Sequence, residues 1–236
     1  MNQFAMAFTP EKLEEAWHVF LTEFPLGLWE TVYVTVLSTL FAIILGMPLG
    51  LLLVTGDENG NRPMPKPLMK GINVIINFLR SVPFLILIVM VIPLTRAIVG
   101  TSIGSVASIV PLVVAAFPFV ARLVESSLRE LDPNIIEMAQ SMGSSTWQII
   151  TRVMLPESVP SLVTNFTLAI TTILGYTAMS GAMGGGGLGK IAINYGYNRY
   201  KYAVLYLAVI VLVVVVQVFQ SVGTRCATRL DKRIKK

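Results

Sequence analysis

Residues 209–219 read VIVLVVVVQVF, and nothing in them repeats at the period of an amphipathic helix or a half-buried strand. A segment apolar all round has two homes, the middle of a large core or a lipid bilayer. A helix needs about 20 mostly apolar residues to cross the ~30 Å hydrocarbon layer. Five stretches reach that length, approximately 28–54, 72–95, 103–124, 162–183 and 203–222. The whole chain of 236 residues is 54% hydrophobic and 13% charged, against about 25% charged in ordinary soluble domains. Too little polar sequence remains to coat five such helices. The expected fold class is an all-α integral membrane protein with five transmembrane helices.

The Lys/Arg content of short loops sets orientation. An odd number of spans puts the termini on opposite sides. With the tail inside, the inner segments and span ends hold Arg62, Lys66, Lys70, Arg80, Arg122, Arg129, Arg152, Arg225, Arg229, Lys232, Arg233, Lys235 and Lys236, leaving Lys12, Arg96, Lys190, Arg199 and Lys201 outside. That bias favours N-terminus out, C-terminus in. The chain then divides into an extracytoplasmic or interfacial segment 1–26, a spanning domain 27–223 with a cytoplasmic loop at 129–160, and a basic tail 224–236. The first 25 residues have neither a basic start nor a small-residue cleavage site, unlike a cleaved signal peptide. Thr9-Pro10 can open a helix there. Leu13, Trp17, Phe20 and Phe24 fall near one face of it, as expected of a helix lying in the outer interface. The tail suits anionic lipids of the inner leaflet, so its charge needs no nucleic acid.

A lone Cys226 and a lone His18 leave no internal disulfide and no metal centre to build. No span carries an ionisable residue at its centre. Glu30, Arg96 and Glu125 fall at span ends, where long side chains reach the headgroups; Arg80 sits about a third of the way in. No acids, bases and nucleophiles gather as catalysis requires, so no catalytic residue and no cofactor of this chain's own are expected. Ion-driven carriers keep ionisable groups at mid-membrane, and their absence places the energy source of any uphill transport elsewhere. The sequence GGGLGK at 185–190 superficially matches a phosphate-binding loop, but Ile191 stands where Ser or Thr must hold magnesium, and a helix precedes it instead of a strand. These glycines are expected to end a helix and let backbones pack closely. Pro48, Pro83, Pro93, Pro111 and Pro118 remove backbone donors inside spans and favour kinks. Span four carries Thr164, Thr167, Thr171, Thr172 and Thr177, either for packing through small polar residues or for a wet translocation path.

Between spans three and four the pattern changes. Leu131-Asp132-Pro133 breaks the chain, with Pro133 in the first turn of a helix whose Ile135, Ile136, Ala139 and Met142 share a face. Gly143 stops it. Ser144-Ser145-Thr146 can cap a second helix through Trp147, Ile149, Ile150 and Val153, ending at Leu155-Pro156. The result is a compact knob, which is either a plain linker or a handle for a soluble partner.

This segment resembles the EAA loop of ABC importer permeases, written E-A-A, three residues, G, nine residues, I-x-L-P. Glu137, Ala139 and Gly143 hold the first positions, followed by residues 144–152 and Val153-Met154-Leu155-Pro156; Met138 and Val153 depart mildly. The stretches 78–104, 118–128 and 175–189 resemble the methionine-importer branch of that family. The resemblance implies the type I importer permease fold, and pairing with a second copy of the chain. It further implies that two cytoplasmic ABC ATPase subunits bind ATP and magnesium and grip the knob, while a periplasmic or lipid-anchored binding protein delivers substrate. Glu137, Ala139 and Gly143 would be coupling residues, with Leu155 and Pro156 shaping the exit from the knob. Methionine, in both enantiomers or as close derivatives, is the implied cargo; another amino acid on the same architecture and an uncoupled channel are the alternatives.

Overall fold

The computed structural model describes residues 9–58 and 60–231. Tail residues Lys232, Arg233, Lys235 and Lys236, and the start of the N-terminal segment, lie outside them. Among the described residues every regular element is helical: α1 Pro10–Thr22, α2 Phe24–Thr55, α3 Lys66–Ser81, α4 Phe84–Val99, α5 Ser105–Arg129, α6 Pro133–Ser141, α7 Thr146–Ile149, α8 Leu155–Ala182, α9 Gly187–Ile191 and α10 Tyr202–Leu230. Wide π-turns at Ile150–Met154 and Ala192–Tyr197 follow α7 and α9. The helices Phe24–Thr55, Ser105–Arg129 and Tyr202–Leu230 and the run Thr146–Tyr197 are each long and apolar enough to cross a membrane, and α3 with α4 makes a fifth crossing if the bent pair is one span.

That pair departs from the smooth second span expected over 72–95. The two helices meet at 113°, a far sharper change than a proline kink. Val82 is extended at ψ 124° and Pro83 at ψ 135°. Pro83 disfavours the helical conformation for Val82 and has no N–H to donate, and here the ladder stops and restarts at Phe84. Arg80, uncomfortable in a straight span, falls in the last turn of the amphipathic α3.

The chain forms two compact units. The first contains residues up to Thr39, Pro83–Val113 and Ile170–Val218. Its core gathers Ala16, Val19 and Phe24 with Leu188, Ile191, Ala192, Ala203, Val204 and Ala208. Helix α1 is thus packed by Ala16 and Val19 and tied by the Glu15–Lys201 ion pair at 2.7 Å. Of its expected apolar face, Phe20 and Phe24 join this core, whereas Leu13 and Trp17 are exposed.

The second unit contains Leu40–Val82, Val114–Ala169 and the chain from Phe219. Here α2 and α5 pack through Gly46 and Gly50. A Cβ on Gly46 would lie 2.8 Å from the Phe117 carbonyl, and one on Gly50 2.6 Å from that of Ala121. Small residues four apart let backbones approach in this way. In both units the outward surface is apolar, for example Phe41, Ile44 and Phe78 in the second and Ile210 and Val214 in the first, as hydrocarbon surroundings require.

Candidate functional site

The knob belongs to the second unit and is built locally. The Asp132 carboxylate accepts the Asn134 N–H at 3.0 Å, with Pro133 in the first turn of α6; both are standard devices for starting a helix. At its end Gly143 takes φ +76°, its N–H donates to the Gln140 carbonyl at 2.9 Å, and the Ser144 N–H donates to Ala139 at 3.1 Å. This pair of bonds around a left-handed residue is a Schellman closure, which favours glycine. Ser145 then starts α7 with a capping box: its hydroxyl accepts the Gln148 N–H, and its own N–H donates to Gln148 Oε1 at 2.8 Å.

Three apolar side chains anchor the knob, Ala139, Ile149 and Met154, all buried. Three others face away: Met138 is 60% exposed, Met142 78% and Trp147 72%. Met142 therefore does not share the inward face expected for it, because it stands at the C-cap after the helical turns have ended. Glu137 is exposed and borders a groove of about 570 Å³ shared with Asp57, Asn61, Arg129, Gln140 and Met154. The helix expected to end at Leu155-Pro156 runs on. The Leu155 N–H reaches back to Ile150 in a π-turn, and α8 continues from Leu155 to Ala182. The wider turn accommodates Pro156, which can neither donate nor tolerate a tight carbonyl four residues earlier. Leu155 and Pro156 sit on the shoulder of one bent helical run.

The connection after α2 touches the knob, a contact that no local sequence signal announces. Gln140 Nε2 donates to Asn61 Oδ1 at 2.8 Å, and the Thr146 hydroxyl donates to the Asn61 carbonyl at 3.5 Å. Asp57 in the same loop accepts from Arg129 at 2.8 Å. The bonded guanidinium, with the Glu58 N–H, holds its carboxyl below the ordinary aspartate value.

The threonines of α8 divide between the units. Thr164 donates to the Pro160 carbonyl at 3.0 Å, Thr167 to Val163 at 2.7 Å and Thr177 to Leu174 at 2.7 Å. Thr164 is exposed, Thr167, Thr171 and Thr172 are half-buried and Thr177 is buried. Thr167 also packs against Gly223 of α10.

The glycine run at 184–189 is a structural turn in the first unit. Gly184 and Gly187 have φ +91° and +81°. The Glu30 carboxylate accepts the Gly187 N–H at 2.6 Å and the Ser105 hydroxyl at 3.2 Å, and the Thr31 hydroxyl accepts the Leu188 N–H at 2.9 Å. A Cβ on Gly186 or Gly189 would overlap Glu30 or the Ala178 backbone. Glu30 is held by protein donors instead of reaching for headgroups, and Glu125 likewise pairs with Arg122 and Arg129.

Residues 42–236 match the family described as binding-protein-dependent transport system inner membrane component. The chain belongs to that family and is an inner-membrane transport permease. It is 44% identical over 205 residues to the probable D-methionine transport system permease protein MetI of Vibrio cholerae, covering 87% of this chain and 91% of the relative. With the Escherichia coli K12 D-methionine permease protein MetI it shares 44% identity over 155 residues, 66% of this chain and 71% of that one. Among solved structures, an inward-facing MetNI methionine ABC transporter chain superposes with a TM-score of 0.85 at 42% identity, covering 87% of this chain and 95% of that chain. An amino acid ABC transporter crystallised with histidines gives a TM-score of 0.72 at 19% identity, a likeness of fold.

Proposed function

We propose that this chain is the permease subunit of an ATP-driven methionine importer. Two copies form the pathway, each with its N-terminus outside and its C-terminus inside. Isologous pairing is the commonest way to close an oligomer. The observation that carries the coupling role is the knob itself, rigidly capped at both ends yet turning Met138, Met142 and Trp147 outward. Exposed aromatic and methionine side chains on a rigid helical element are the anchors expected of a protein interface. Two cytoplasmic ABC ATPase subunits grip these knobs and hold the ATP and magnesium, so this chain is not itself an enzyme. A periplasmic or lipid-anchored binding protein delivers the amino acid. The similarity to methionine permeases over most of the chain supports methionine as cargo, and the threonines at 164, 167, 171, 172 and 177 are the pathway residues offered on the most polar span.

The test is uptake of labelled methionine into proteoliposomes holding permease, ATPase and binding protein. Gly143→Leu strains the left-handed turn and tilts the exposed face while leaving the buried anchors in place. It is expected to abolish uptake with ATP hydrolysis continuing. Normal uptake by this variant would contradict the coupling role, and wild-type uptake that excess unlabelled methionine does not suppress would contradict the cargo.

A further inference from the structure

A line of polar contacts runs through the second unit from the knob to α3, carried from Asn61 to Asp57 by the loop backbone, where the Gly60 N–H donates to the Asp57 carbonyl at 2.9 Å. Gln140 and Thr146 hold Asn61. Its loop is braced on α2, with Arg62 N–H donating to the Thr55 carbonyl at 2.9 Å and Met64 N–H to Gly56 at 3.0 Å. Asp57 of the same loop takes Arg129 Nη2 at 2.8 Å. Arg129 also donates to Glu125 Oε1 at 3.0 Å, and the other oxygen of Glu125 accepts from Arg122 at 2.7 Å. Arg122 finally donates to Asn73 Oδ1 at 2.6 Å and to Asn77 Oδ1 at 3.1 Å. Both asparagines lie on one face of α3, one turn apart.

We propose that Asn61, Asp57 and Arg129 are positioning residues that carry displacement of the knob to α3 through Glu125, Arg122 and the Asn73–Asn77 pair, an inference that rests on the knob being the coupling element. Apolar contacts alone would let the knob slide over the loop. Forked guanidinium bonds have fixed direction, and from Asp57 through Arg129 and Glu125 to Arg122 acids and bases alternate, so breaking a link in that stretch disturbs a charge pair. Glu125 and Arg122 keep only 13% and 22% of their side chains exposed, which makes this stretch of the line costly to break compared with open surface pairs. Helix α3 ends at the Val82–Pro83 break, so its displacement acts directly on a point where the chain already lacks a continuous ladder.

The measurement is ATP hydrolysed per methionine imported by the reconstituted complex. Asn61→Ala and Asp57→Asn should each raise this ratio about five-fold, the size of one directional bond lost from a coupled system. Asn61→Ala combined with Gln140→Ala should do no more than Asn61→Ala alone, since both remove one link. Asp57→Glu, which keeps the carboxylate, should hold the wild-type ratio. A merely structural role would lower melting temperature and complex yield without moving the ratio. If Asp57→Asn fails to assemble, Asn61→Ala decides the matter. Unchanged ratios in the presence of an uncoupled Gly143→Leu variant would overturn this relay and leave the knob's role standing. A coupled Gly143→Leu would remove the coupling role and the relay with it.

Discussion

Two turns in this protein use the same local chemistry to opposite ends. In the first unit, residues 184–188 run through left-handed glycines into a short helix; in the second, Gly143 does the same between α6 and α7. The first turn is gripped from all sides. Glu30 and Thr31 capture its amides, and a Cβ on Gly187 would lie 2.5 Å from the Thr31 hydroxyl. The second closes on its own backbone at Gly143 and Ser144, and is held from outside only on its inner side, where Gln140 and Thr146 bond Asn61. A Cβ on Gly143 would meet nothing within 4 Å, and Gly143 and the preceding Met142 are exposed. A glycine turn whose amides are bonded by distant side chains is part of the scaffold. One that is capped internally and left bare offers its surface to another molecule.

This difference predicts a large stability effect on one side and a small one on the other. Gly187→Val combines a β-branched residue at positive φ with steric overlap at Thr31, and should cost ~3 kcal/mol or more. Gly143→Leu carries the backbone strain alone, on the order of 1–2 kcal/mol. Thermal unfolding in detergent should rank the two in that order, and equal destabilisation would break the comparison. Next in size is Trp147→Ala. It should weaken ATPase binding about tenfold or more, as interface anchors do, while changing permease stability by less than about 0.5 kcal/mol. Titrating the purified permease with its ATPase reads the first quantity and a melting curve the second. Asp132→Ala removes the α6 cap and should cost about 1 kcal/mol. The effect of pH on the loop beneath the knob is smaller still. The carboxyl of Asp57 is lowered by Arg129, so the pair's contribution is present above the ordinary aspartate value and is lost only as pH falls through the lower, folded one. The stability difference between wild type and Asp57→Asn should stay constant down to ordinary aspartate pH and close below it.

Much of this was legible from residue order because it is local. Apolar length announced the spans, Pro133 and Gly143 the ends of α6, and the Ser144-Ser145-Thr146 run the start of α7. Where the reading went astray, a neighbour decided. Pro83 marked a kink, but nothing nearby said that Val82 would turn the chain by 113°. Pro156 looked like a stop, because a π-turn that carries a helix past a proline has no single-residue signature. Glu30 and Glu125 looked like headgroup-seeking charges because their partners, Gly187 and Arg122 with Arg129, are fixed by the fold. Asn61 in its polar loop gave no hint of its bond to Gln140, seventy-nine positions along the chain.

The central claim is that the bare turn is the gripped one. Replacing the exposed Cys226 with Ser leaves a cysteine-free chain, into which Met142→Cys can be introduced and labelled with a small maleimide, first on the permease alone and then with its ATPase bound. Fast labelling alone and strong protection in the complex is the expected result. Equal labelling in both states would show that the knob stays bare in the working assembly, and the account of it as the coupling element would fail.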